Sequence, residues 1–219
     1  MIVVVTGTDT GVGKTWAASA LARAASDGGR RVVAIKPFET GCGDAPTTED
    51  GAMLARASGQ ASPDRALVRL RTPVAVPEAA DREGVTIDWD AVLSELRTLV
   101  EGADLALVEG AGGLLSPLTW ERSAIDLARD LGARVLVVAA DRLGTVSHCL
   151  TTLRVLEAER LDVVGLVLTT PEHADASTGS NARAIARLAS VRVHVAPRAT
   201  DPAEAARAMR PVLSWLDLA

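Results

Sequence analysis

Ile2-Val3-Val4-Val5-Thr6-Gly7-Thr8-Asp9-Thr10-Gly11-Val12-Gly13-Lys14-Thr15-Trp16, with the alanine-rich run after it, decides how this chain is read. Residues 2–6 are a short β-branched run without polar alternation, the pattern of a strand buried on both faces of a parallel sheet. A glycine-rich turn follows, and residues 16–21 carry helix-forming side chains. Strand, glycine turn and helix start are the context that a phosphate-binding loop requires. Gly11 and Gly13 let the backbone wrap closely, successive N–H groups face anionic oxygens, Lys14 reaches the outer phosphates, and the Thr15 hydroxyl is placed to hold Mg²⁺. The pattern's usual first glycine, five residues before Gly13, is Thr8 here. The competing reading is a strand-to-helix turn with an incidental lysine.

The same rhythm continues along the chain. Residues 32–35, 105–108, 135–140, 163–168 and 191–195 are further short apolar runs, separated by stretches of helical period. After Asp88, the residues Trp89, Val92, Leu93, Leu96, Leu99 and Val100 fall on one helical face. Asp201-Pro202-Ala203-Glu204 supplies an N-cap, a proline at the first helical position and a carboxylate two residues on, opening a helix expected to end near Leu216. Residues 72–84, with Pro73 and Pro77, read as a long loop. The alternation predicts one domain over 1–219, a three-layer α/β/α fold around a mainly parallel sheet, with ligands gathered beyond the carboxyl ends of the strands.

Composition narrows the partners. With 219 residues, 48% of them hydrophobic and 23% charged, the chain is long enough for one sizeable core. The net charge of −5 argues against electrostatic capture of nucleic acid or of an anionic membrane. No run approaches the ~18 unbroken apolar residues of a membrane span, and residues 1–7 carry no basic leader or cleavage signal, so a cytoplasmic location is expected. Cys42 and Cys149 have no ligand-spaced partners, and His148, His173 and His194 form no triad. Of the 23 basic residues only Lys14 and Lys36 are lysines. In so arginine-rich a chain, they mark places that need a compact ammonium instead of a planar fork.

Three further stretches bear on chemistry. Lys36, in Lys36-Pro37-Phe38-Glu39-Thr40-Gly41, ends the second strand, which is expected to lie beside the first. There a second ammonium could face the same phosphates and stabilise charge as it develops. At ~4 Å and an effective dielectric near 20, such a contact is worth about 4 kcal/mol before desolvation. Glu109, in Leu107-Val108-Glu109-Gly110-Ala111-Gly112-Gly113, is a carboxylate delivered by an apolar strand to the same rim, the logic of a magnesium ligand, with glycines behind it for close backbone approach. Asp50 reads equally as a plain helix N-cap. Asp141-Arg142-Leu143-Gly144-Thr145-Val146-Ser147-His148 opens a helix whose free N–H groups could bind a carboxylate, or could simply be capped by Thr145 or Ser147.

Taken together, the loop of residues 7–15, Lys36-Pro37-x-x-Thr40-Gly41 and Val108-Glu109-Gly110-Ala111-Gly112-Gly113 resemble the dethiobiotin synthetase family in type, order and spacing. The resemblance implies a P-loop NTPase fold and an ATP- and Mg²⁺-dependent condensation of 7,8-diaminononanoate with CO₂ to a cyclic urea, carried out by a homodimer with active sites at its interface. It implies that Lys36 touches carbamate and phosphate, that Lys14 holds the phosphates and that Thr10 lies beside the reacting groups. It implies Mg²⁺ coordination by Thr15, Asp50 and Glu109, and a substrate contact at Thr40. The substrate's distant carboxylate would be received by Gly144, Thr145, Val146 and Ser147. The nucleotide would lie along Gly11, Val12, Gly13, Lys14, Thr15 and Trp16, with Gly110, Ala111 and Gly112 nearby, and its base against Thr169-Thr170 and Val195-Ala196-Pro197. Family members often carry Asn-Asp where this chain has Thr169-Thr170. A hydroxyl lacks a carboxamide's paired donor and acceptor, so a loose choice of base is expected.

Two other classes compete. A nucleotide-driven switch resembling the partition and septum-positioning ATPases carries a lysine five residues before the loop lysine. Asp9 stands there, and the end Trp215-Leu216-Asp217-Leu218-Ala219 has no basic amphipathic face. A glutamine-dependent amide ligase would need an amidotransferase domain for which 219 residues leave no room.

Overall fold

The computed structural model describes residues 1–44 and 48–216, so the last three residues of the C-terminal stretch lie outside the described residues. The main sheet has six strands, β1 (Ile2–Gly7), β2 (Val32–Ile35), β5 (Leu105–Gly113), β6 (Arg134–Ala140), β7 (Val163–Thr169) and β8 (Val193–Ala196). They are ordered β2-β5-β1-β6-β7-β8, every pair parallel. A second, two-stranded sheet pairs β3 (Phe38–Thr40) with β4 (Val68–Leu70).

Successive residues of each strand feed cores on opposite faces. Val3 and Val5 pack with Ala17, Ala18 and Leu21 of α1 (Lys14–Asp27), Leu54 of α2 (Asp50–Ser58) and Met209 of α8 (Pro202–Leu213). Val4 and Val108 face the other layer, built from α3 (Val76–Glu83), α4 (Trp89–Leu99), α5 (Ala124–Asp130), α6 (Thr145–Ala158) and α7 (Asn181–Leu188). The strands therefore read as continuous apolar runs because both faces are covered. Alanines at the buried positions of α1 let it lie close to sheet and to α8. This is the expected three-layer α/β/α architecture. No helix among the described residues is long and apolar enough to cross a membrane.

Several expectations are corrected. The second strand does not lie beside the first; β5 occupies the slot between them. The register puts Ile35 opposite Val108 and Val5 opposite Glu109, so Lys36, the residue after β2, comes level with Glu109 on the neighbouring strand. Residues 72–84 are not one long loop. Helix α3 starts at Val76, and its proline sits in the first turn, where the missing N–H has no helical partner to lose. Glu78 and Arg82 pair one turn apart, and Gly84 closes the helix with φ 65°. The last sheet strand spans Val193–Ala196, not 191–195, and β5 runs on through its glycines to Gly113. Helix α4 forms as expected, with the Asp88 side chain accepting from the Ala91 N–H. At α8, Asp201 accepts from the Glu204 N–H, and after Leu213 the chain continues as a 3₁₀ turn, Ser214–Leu216.

Candidate active site

Strand β1 delivers residues 8–13 to the carboxyl rim at the middle of the sheet. Gly11 and Gly13 have φ of 72° and 90°, left-handed values that L side chains rarely adopt. Thr8 is tolerated in place of glycine because its backbone is not left-handed, and its N–H donates to the Val138 carbonyl at 3.0 Å. The close approach falls instead at Gly7, where an added Cβ would lie 2.9 Å from the Asp9 carbonyl oxygen. Lys14 Nζ rests on that carbonyl at 2.9 Å. Burial draws the Lys14 ammonium below the ordinary lysine range, against the pull of Glu109.

Around it the other charged groups converge. Lys36 Nζ donates to Glu109 Oε1 at 2.8 Å and to Asp50 Oδ2 at 2.5 Å. Burial opposes its charge, yet the Glu109 and Asp50 carboxylates overcome burial and hold the ammonium well above the usual lysine value. Glu109, 1% exposed, also accepts from the Thr15 hydroxyl at 2.8 Å. Burial pushes its carboxyl upward, with Lys36 working against that push. Its second oxygen, Oε2, is buried and has no hydrogen-bond partner. A buried carboxylate oxygen left unpaired is costly. Thr15, Asp50 and Glu109 together form the all-oxygen, partly anionic donor set that suits Mg²⁺, and the orphaned oxygen fits such an ion.

Asp50 is not the cap of α2. The N-cap position is Glu49, and Asp50 is the first helical residue, its carboxylate turned to Lys36. The residue that seats this helix is Glu39, whose carboxylate accepts from the Asp50 N–H at 2.6 Å and the Gly51 N–H at 3.0 Å. Sequence reading missed Glu39, because its partners are eleven and twelve residues away with no periodicity to announce them. Glu39, Cys42 and Glu49 cluster closely, but Glu39 is taken up by these amides and Glu49 by Arg69.

Two cavities meet at the phosphate loop, sharing Gly11, Gly13 and Trp16. The first, about 770 Å³, is lined by Thr10, Lys14, Thr15, Lys36, Thr40, Asp50, Glu109, Ala111 and Gly112, with an apolar wall of Phe38, residues 73–76 and Pro117. The second, about 920 Å³, is lined by Val12, Thr169, Thr170, Pro197 and the indole of Trp16, whose N–H donates to the Ala199 carbonyl at 2.9 Å. Some expected residues stand apart. Gly110 is buried behind the rim, where an added Cβ would lie 3.4 Å from that of Ala124 and 3.7 Å from the Val5 carbonyl oxygen. Ala196 is buried and accepts from both the N–H and the hydroxyl of Thr170, and Val195 is 37% exposed without lining either cavity. Gly144, Val146 and Ser147 line a separate open groove along α6; Thr145 beside them is buried. Neither Thr145 nor Ser147 caps that helix, whose N-cap is Gly144 with φ 93° and no side-chain bond.

A family model described as an AAA domain matches residues 2–196. An ATP-dependent dethiobiotin synthetase from Caulobacter vibrioides is 46% identical over 169 residues, covering 75% of this chain and 77% of that protein. One from Anaeromyxobacter dehalogenans is 42% identical, covering 96% of each, and one from Aquifex aeolicus is 33% identical, covering 92% and 90%. Among solved structures, the cell division ATPase MinD of Pyrococcus furiosus superposes with a TM-score of 0.60 at 21% identity, covering 99% and 98%, a likeness of fold alone. With its fold, its phosphate loop and relatives of this identity over most of its length, the chain belongs to the ATP-dependent dethiobiotin synthetase family.

Proposed function

We propose that this protein forms dethiobiotin from 7,8-diaminononanoate, CO₂ and ATP with Mg²⁺, as a single domain over residues 1–219, working as a cytoplasmic homodimer. The observation that carries the reading is the placement of the Lys36 ammonium between Glu109 and Asp50 in the cavity that also holds Lys14 and Thr15.

An amine of the substrate attacks CO₂ and loses a proton, giving a carbamate. A carbamate oxygen attacks the γ-phosphorus as the bond to ADP breaks. The second amine then attacks the carbonyl carbon of this mixed anhydride and loses a proton, phosphate departs with the C–O electron pair, and the urea ring closes. The difficulty is bringing two anions together. Lys36 is firmly cationic and buried, so it offsets their repulsion without competing as a nucleophile. Lys14 moves from its loop carbonyl to the outer phosphates, and Thr10 and Thr40 line the space where amine and phosphoryl group meet. Thr15, Asp50 and Glu109 would hold Mg²⁺, which supplies charge neutralisation at the phosphate oxygens. The apolar wall at residues 73–76 suits an aliphatic chain. The start of α6, which no side chain caps, suits the far carboxylate at the subunit interface. Nucleotide lies along residues 11–16, with Ala111 and Gly112 nearby and its base toward Thr169, Thr170 and Pro197.

A nucleotide-driven switch is disfavoured by Asp9 at the position of its signature lysine. The deciding measurement is phosphate release with diaminononanoate and bicarbonate together and with each omitted. A synthetase needs both; release that depends on neither returns the switch.

A further inference from the structure

We infer that Thr169, at the end of β7 and far in sequence from the phosphate loop it touches, is a positioning residue for that loop and not a reader of the base. This rests on the nucleotide-binding part of the proposed function and adds to it. The Thr169 hydroxyl has one proton. Its nearer acceptor is the Val12 carbonyl at 2.8 Å, with the Ala139 carbonyl at 3.3 Å. Its methyl lies against Gly13, where an added Cβ would meet Cγ2 at 2.9 Å. Val12 C=O and Gly13 N–H belong to one planar trans peptide and point in opposite directions. A donor that holds the carbonyl down on the β7 side therefore aims the Gly13 N–H away from β7, toward the concave side of the loop where a phosphate must sit. Gly13, at φ 90°, is also the N-cap of α1, so its N–H has no helical bond to fix it, although its carbonyl accepts from the Ala17 N–H at 2.9 Å. The neighbouring Thr170 hydroxyl donates to the Ala196 carbonyl at 2.9 Å. Both side-chain protons at the expected base-reading pair are thus committed to backbone.

The test compares wild type, Thr169→Val and Thr169→Ser by calorimetric binding of ATP, CTP, GTP and inorganic tripolyphosphate. The last has phosphates and no base. Valine keeps the shape and removes the proton, whereas serine keeps the proton. The expected result is a loss of about tenfold in affinity for all four ligands in Thr169→Val, with the order of the nucleotides unchanged, and values within about twofold of wild type in Thr169→Ser. Nucleotide order rearranged with tripolyphosphate unaffected would make Thr169 a base reader and overturn the inference. So would a lowered melting temperature with all four affinities intact, or a serine variant as weak as valine. Should valine not fold, Thr169→Ala, which also lacks the proton, takes its place in the comparison. Wild-type protein that binds none of the four ligands would instead strike the functional reading, so the two failures are distinguishable.

Discussion

Lys36 is where the chemistry can be tested with the least disturbance. Its ammonium fills a gap bounded by two carboxylates, Asp50 and Glu109, and opens on the cavity that Lys14 shares. An arginine keeps the charge but needs a planar fork's width, which this gap lacks. Lys36→Arg is therefore expected to melt near the wild-type temperature while turnover drops about 100-fold or more; near-normal turnover would remove Lys36 from the mechanism. Glu109→Gln is a different kind of change. It keeps an acceptor for Thr15 and Lys36 but removes the anionic charge beside the orphaned oxygen. The expected outcome is a Mg²⁺ titration midpoint raised about tenfold, and an unmoved midpoint would count against the ligand role. Both residues were legible in sequence, one from the scarcity of lysine, the other from a carboxylate ending an apolar strand.

At the scale of elements, α2 shows what sequence could not convey. Asp50 reads as a cap, and only the seating of its helix turns it into a partner for Lys36. Two contacts far apart in the chain do this: the Glu39 carboxylate on the first N–H groups, and the bare face of Gly51 against residues 65 and 66. A Cβ on Gly51 would come within 2.4 Å of the Ala66 backbone nitrogen, which cannot yield as a side-chain tip would. Gly51→Ala is expected to lose about 1–3 kcal/mol of stability by overpacking. It should also raise the Mg²⁺ requirement, because the helix that carries Asp50 is pushed outward; denaturant melts and the metal titration are the readings, and an alanine variant unchanged in both would sink this account. Strands of the main sheet were legible because burial on two faces leaves continuous apolar runs. The minor sheet β3 and β4 was not, since strands of three residues are too short to show a period. Helix α3 was hidden by Pro73 before it and Pro77 within it, although Pro77 sits where a helix tolerates one.

Across the whole molecule, strand order divides the labour. β2 and β5, on one side of β1, carry Lys36 and Glu109; β7 and β8, on the other, border the second cavity, and the phosphate loop between them serves both. Order of this kind is invisible to local pattern, which is why β2 was expected beside β1. The division has a consequence for substrate choice. The side that carries Lys36 and Glu109 is built on buried ion pairs, whereas the second cavity offers Trp16, Pro197 and two threonines whose hydroxyl protons are held by Val12 and Ala196, its Glu172 and Arg198 being exposed. Stacking and apolar contact accept any base, since every base has an aromatic face, while strong rejection needs a buried polar group that the wrong base leaves unpaired. ATP, CTP and GTP are therefore expected to support turnover with kcat/KM values within about tenfold of one another, read as phosphate release with diaminononanoate and bicarbonate at saturation. A preference for ATP of about 1,000-fold, the size that unpaired polar groups impose, would overturn this and point to a base-reading contact that needs no threonine proton: a threonine oxygen that accepts, the buried Ser19 hydroxyl, or the backbone of residues 197–200.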